Sequence, residues 1–262
     1  MDLKLRNRVI LVAGGSKGLG LGIAKVCKEE GARVVIGSRN AANLAKGLRE
    51  LEQVTGGEVL ARPLDVTDAQ SIDQWVGAAV EKFGQIDGLV ANAGGPPPGM
   101  FDNFDDAQWQ QAFELTLMST VRLIRAALPA LRQNGGSILT LTSSSVKEPI
   151  DMLLLSNVMR SGVTSLAKSL SRTLAAEGIR VNNLVPGLIA TDRMVSLDEL
   201  QASMKSITRV EQRAAQESVI PMGRYGEADE FGRAGAFLLS EAASYITGAT
   251  LVADGGSMKT VW

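Results

Sequence analysis

The sequence predicts a single α/β domain over residues 1–262, with a doubly wound seven-stranded parallel sheet flanked by helices on both faces. Three observations carry this. Short β-branched runs alternate with helix-length amphipathic segments from end to end, the pattern of repeated strand–helix–strand units. The runs are almost continuously apolar, as strands buried on both faces must be. A glycine cluster, Gly14-Gly15-Ser16-Lys17-Gly18-Leu19-Gly20, separates the first run from the first helical segment.

The seven runs are Arg8 to Ala13, Ala32 to Gly37, Val59 to Leu64, Ile86 to Val90, Ser137 to Leu141, Ile179 to Val185 and Ala249 to Ala253. The longest helical patterns fall at about 104–133 and about 150–178, where apolar residues recur at three- and four-residue spacing. Residues 187–220 break the composition, being polar and carrying Met194 and Met204. That stretch reads as an inserted flap over a substrate site. A chain of 262 residues with 45% hydrophobic content buries one large core without dividing.

Composition excludes several function classes. Lys plus Arg number 27 against 28 Asp plus Glu, so no overall field would hold a polyanion, and nucleic acid is not an expected partner. The first eight residues lack the apolar core of a signal peptide, and no apolar run approaches the roughly 20 residues that span a bilayer. No membrane association and a cytoplasmic location are the expectation. Cys27 is the single cysteine, so no intrachain disulfide forms, and its place in an apolar helical stripe reads as core packing. There is no histidine, which removes histidine triads, histidine bases and the commonest zinc sites together. No metal is expected.

Glycines at 14, 18 and 20 let the chain turn tightly and bring a pyrophosphate against N–H groups at the positive end of the following helix. Their spacing resembles that of the short-chain dehydrogenase/reductase family, whose domain is a Rossmann fold, and the resemblance runs the whole chain. It implies cofactor contacts from Gly14, Ser16, Lys17, Gly18, Leu19 and Gly20 after the first strand, and from Ser38 and Arg39 after the second. Asp65 and Val66 match the family's adenine contacts, and Asn92, Ala93 and Gly94 brace the pocket after strand four. Pro186, Gly187, Ile189 and Thr191 follow strand six, with Thr191 at the carboxamide. Segments 220–224, 246–248 and 254–256 match its closing strand and helix. The resemblance implies a nicotinamide dinucleotide, and NADP(H) is favoured over NAD(H). Ser38-Arg39 stands where NAD-preferring members carry an acid, and Arg39 with Lys17 can meet a 2′-phosphate.

The family's catalytic set is an asparagine, a serine, a tyrosine thirteen residues beyond the serine, and a lysine four further on. Here Ser143 matches the serine, but Ser156 and Arg160 occupy the tyrosine and lysine positions, and Thr116 that of the asparagine. A serine hydroxyl is far less acidic than a phenol, and arginine gives charge without proton exchange. Ser143 and Ser156 are therefore expected to polarise a carbonyl, with Arg160 also holding the nicotinamide ribose. Lys147, Glu148 and Asp151, just past Ser143, are candidate substitute acids or simply solvated loop charges. Tyr225 and Tyr245 read as packing or helix-end residues. Two functions stay open: an NADP(H)-dependent oxidoreductase acting on a small carbonyl or alcohol substrate, and a non-redox nucleotide-binding or regulatory module. The apolar stripes near 104–133 and 150–178 predict a homodimer or homotetramer.

Overall fold

The computed structural model describes residues 2–261. Seven strands, β1 (Val9–Ala13), β2 (Arg33–Ser38), β3 (Val59–Pro63), β4 (Gly88–Ala91), β5 (Gly136–Leu141), β6 (Ile179–Pro186) and β7 (Thr250–Ala253), form one sheet in the order β3-β2-β1-β4-β5-β6-β7. Every pairing is parallel. The helices are α1 (Gly18–Glu29), α2 (Ala41–Glu52), α3 (Ala69–Phe83), α4 (Asp106–Ala112), α5 (Ser119–Asn134), α6 (Leu154–Thr173), α7 (Asp192–Lys205), α8 (Arg209–Val219) and α9 (Ala228–Leu239).

Strand residues alternate between two cores, as a two-residue period requires. Val9 and Leu11 join Trp75 of α3, Leu123 and Leu131 of α5 and Ala167 of α6. Ile10 and Val12 join Ile23 of α1, Leu44 of α2 and Phe231 of α9. Cys27 is fully buried in this second core, and burial pushes its thiol up to about 12, which fits packing and not a reactive thiol. Close approach of α1 and α9 depends on glycine: a Cβ at Gly22 would lie 2.3 Å from the Ala228 carbonyl oxygen, and one at Gly232 2.3 Å from that of Gly22.

Several expectations need correcting. The edge strands β3 and β7 are only partly buried, because each has a neighbour on one side alone. Asn182 lies inside β6, as the expected run has it, and its side chain donates to the Ile246 carbonyl and accepts from the Ala249 N–H, stapling β6 to the approach of β7. The helical pattern at 104–133 is α4 and α5 joined by a π-helical turn, Phe113–Met118, and the pattern at 150–178 is α6 followed by a short turn. Most of the apolar stripe of α5 is spent on the sheet, and Val158 is the one large apolar side chain of α6 that is exposed. Residues 187–220 hold two helices, α7 and α8, pinned from below where the Tyr225 hydroxyl donates to the buried carboxylate of Asp198 at 2.9 Å. Arg213 of α8 stacks on the Tyr225 ring at 4.8 Å. Among the described residues no helix is long and apolar enough to cross a membrane.

Candidate active site

The strand order turns back between β1 and β4: the chain steps outward through β2 and β3, then returns to the far side of β1. Loops leaving the carboxyl ends of such neighbours diverge to opposite faces and leave a crevice. A cleft of about 940 Å³ opens there, within the range of small-molecule sites.

One wall is the glycine loop. Gly14 and Gly18 have positive φ (62° and 57°), which an L side chain resists. A Cβ at Gly20 would stand 2.4 Å from the Gly14 carbonyl oxygen. Asn92 ties this loop to β4, its Nδ2 donating to the Ala13 carbonyl at 3.2 Å. The first turn of α1 has no side-chain cap, so its N–H groups and the dipole behind them face the cleft. Ser38 and Arg39 extend the wall from β2, Arg39 exposed and in no ion pair among the described residues. Lys17 Nζ reaches across to Asp192 of α7 at 3.8 Å, and Thr191 caps α7 by accepting from the Met194 N–H. Dimensions, free N–H groups and cations suit a dinucleotide with a 2′-phosphate.

The opposite wall belongs to β5, α6 and α7. Ser143 follows β5 and its Oγ accepts from the Ser145 N–H at 3.2 Å. Ser156 and Arg160 lie one turn apart on α6, with Arg160 Nε donating to Ser156 Oγ at 3.2 Å and Nη1 to the Leu141 carbonyl at 2.9 Å. Both serine oxygens thus accept from protein N–H groups, which leaves both hydroxyl protons for a ligand. Arg160 is set back among protein atoms with an edge open to the cleft. Burial, then the positive charge of Arg193, lowers its pKa to about 10, so it stays cationic at neutral pH.

Every residue assigned from the sequence to cofactor binding except Asp65 lines this cleft, as do Ser143, Ser156 and Arg160. The Asp65 carboxylate instead accepts from the N–H and hydroxyl of Thr67 at 2.9 and 2.7 Å. Burial opposes its ionisation, but those bonds and the charge of Arg39 hold its pKa below the usual carboxylate value. Lys147 and Asp151 are exposed and off the cleft. Glu148 does line it, but its Oε1 accepts from the Lys259 and Thr260 N–H groups at 2.6 and 3.0 Å, fastening the chain's end. Neither tyrosine lines it: Tyr225 is buried under α7, its pKa raised by desolvation and then by Asp198, and Tyr245 is fully exposed. Thr116, in the π-helical turn, is buried with no partner for Oγ1. Arg193 stands in the first turn of α7, at a position no sequence motif marks. It lies in a stretch whose only sequence signal is its composition, yet its guanidinium crosses the cleft to Gly95, where a Cβ would meet Nη2 at 2.6 Å. No cluster of metal-binding side chains occurs among the described residues.

Comparison with known proteins agrees with this geometry. The family model described as enoyl-(acyl carrier protein) reductase matches residues 13–258. The chain is 33% identical over 257 residues to L-rhamnose 1-dehydrogenase (NAD(P)(+)) of Azotobacter vinelandii, covering 96% of this chain and 97% of the relative. It is 34% identical to 3-oxoacyl-(acyl-carrier-protein) reductase of Salmonella typhimurium, covering 97% and 98%. L-sorbose reductase of Gluconobacter frateurii, solved with NADPH and L-sorbose, superposes with a TM-score of 0.94 at 30% identity over 100% of both chains. A short-chain oxidoreductase of Pseudomonas aeruginosa described as containing an atypical catalytic center superposes with a TM-score of 0.88 at 28% identity, covering 97% and 98%. The chain belongs to the short-chain dehydrogenase/reductase family and is an oxidoreductase.

Proposed function

We propose that the chain binds NADP(H) in preference to NAD(H) and transfers a hydride between it and a small carbonyl or alcohol substrate, using Ser143, Ser156 and Arg160 in place of a tyrosine–lysine pair. The observation that carries this reading is the arrangement of Arg160 and the two serines on the wall facing the glycine loop. Solved neighbours described with NADPH support the cofactor, as do Ser38 and the unpaired Arg39 at the end of β2.

When bound, the cofactor supplies or accepts the hydride. The chain's own residues do the rest: Ser143 and Ser156 donate to the carbonyl oxygen, and Arg160 stabilises the negative charge that grows there. Arginine yields no proton at neutral pH, so the proton reaches the product oxygen from solvent in the cleft mouth. Helices α7 and α8 act as the flap, presenting Leu197, Leu200 and Met204 to the substrate. Self-assembly through α5 and α6, as a homodimer or homotetramer, belongs to the same reading, with Val158 of α6 as the large apolar side chain left exposed there. The test is NADPH binding by calorimetry together with loss of reduced-nicotinamide absorbance over a carbonyl panel. A non-redox role is favoured by one observation, the absence of a tyrosine from the cleft, and binding without turnover would establish it.

A further inference from the structure

The cleft is lined by five cationic side chains, Lys17, Arg39, Arg160, Arg193 and Lys259, and by three carboxylates, Glu148, Asp192 and Asp254, in a chain whose net charge is −1. The carboxylates are engaged elsewhere. Glu148 takes the N–H groups of Lys259 and Thr260, Asp254 those of Gly256 and Met258, and Asp192 is paired with Lys17. Lys17 and Arg39 stand at the glycine-loop end, where a phosphorylated cofactor would use them.

Arg160 and Arg193 stand at the other end and form no ion pair among the described residues. Arg160 rises from α6 beneath the end of β5; Arg193 reaches from α7 to Gly95, just past the end of β4. Strands β4 and β5 are sheet neighbours, so the two guanidinium groups flank one space. Each is held below its ordinary pKa, by burial first and, for Arg160, by the charge of Arg193 second. Two like charges left facing each other without a counterion destabilise the fold, and an anion between them removes the cost. Around them the cleft presents apolar side chains, Pro98, Ile150, Met152, Leu200 and Met204, beside the polar Gln201 and Gln216.

We propose that the substrate is an oxo acid, or the matching hydroxy acid, with its carboxylate on Arg193, its reacting oxygen beside Arg160 and the serines, and an apolar body beneath α7 and α8. The inference deepens the hydride-transfer reading and rests on it for the identity of the ligand as a substrate.

The test is calorimetric binding of 2-oxo and 3-oxo carboxylates and their methyl esters to the enzyme saturated with NADP+, for wild type and Arg193→Gln, beside steady-state reduction of the same compounds with NADPH. Loss of a charge-assisted contact predicts acids binding about tenfold or more tighter than esters in wild type, and a preference abolished in Arg193→Gln. NADPH affinity in the variant should stay within about twofold, and its melting temperature should equal or exceed that of wild type because a like-charge contact is relieved. Acids binding no better than esters would overturn the proposal. So would a variant that loses NADPH affinity as much as acid affinity, since Arg193 would then serve the cofactor. Arg193-dependent acid binding with no reduction of any compound keeps the anion site and sinks hydride transfer; reduction of ketones with no acid preference does the reverse.

Discussion

At the scale of single residues, Ser143, Ser156 and Arg160 and the loop from Gly14 to Gly20 line one cleft, while Thr116 is buried off it. In the proposed reading Ser156, Arg160 and Thr116 stand in for the three groups of a proton relay. If the serines donate to a carbonyl oxygen, Ser143→Ala should lower turnover roughly 100- to 1,000-fold and leave NADPH affinity unchanged, as loss of one oxyanion donor does. Stopped-flow reduction and calorimetry on the same preparation check both halves. Arg39→Asp should weaken NADPH roughly 10- to 100-fold and leave NADH nearly untouched, because a phosphate-binding fork becomes a repelling carboxylate. Equal loss for the two cofactors would make Arg39 a general surface charge. The partnerless Thr116 hydroxyl predicts that Thr116→Val keeps or raises stability, by about 1 kcal/mol at most, read by urea denaturation. A marked loss there would show that the hydroxyl is engaged in solution.

At the scale of elements, close helix contact and the Tyr225–Asp198 hydrogen bond under α7 give sharper tests. Gly22→Ala places a methyl group against the Ala228 backbone, which no side-chain rotation relieves, so a loss of at least about 2 kcal/mol is expected from chemical denaturation. Tyr225→Phe removes the donor that satisfies the buried Asp198 carboxylate, at a cost of about 1–3 kcal/mol. Hydrogen exchange should rise in α7 and α8 and stay unchanged in the sheet. Uniform exchange across the chain would mean the contact does not hold the flap. The strands were legible because period and β-branching mark them directly, and each observed strand falls within its expected run or one residue beyond it. What was not legible depends on spatial order. Arg62 and Pro63 do mark the run from Val59 to Leu64 as an edge strand, but nothing in the run from Ala249 to Ala253 does so, and no three- or four-residue spacing announces the π-helical turn at Phe113–Met118. The site divides the same way. The glycine loop, Ser38–Arg39 and the Ser143, Ser156, Arg160 set were readable from motif position. Arg193 was not, because its place depends on where α7 starts and on the open backbone at Gly95.

At the scale of the whole molecule, the fold brings loops distant in sequence to the one crevice where the strand order turns back, and its charge is distributed to match. A nearly neutral chain concentrates cations in the cleft, so binding of phosphorylated and carboxylated ligands should weaken as salt is raised. Assembly through α5 and α6 predicts a dimer or tetramer by light scattering at micromolar concentration. A strict monomer would leave those faces as ordinary surface. The central claim, that hydride transfer persists without a phenol and an ammonium, is tested most directly by following NADPH oxidation over a carbonyl panel with wild type beside Ser156→Tyr/Arg160→Lys. The account predicts measurable turnover by wild type, lowered in Ser143→Ala, and faster turnover of simple ketones by the double variant. Wild type that binds NADPH and never oxidises it, beside a double variant that does, would contradict the account.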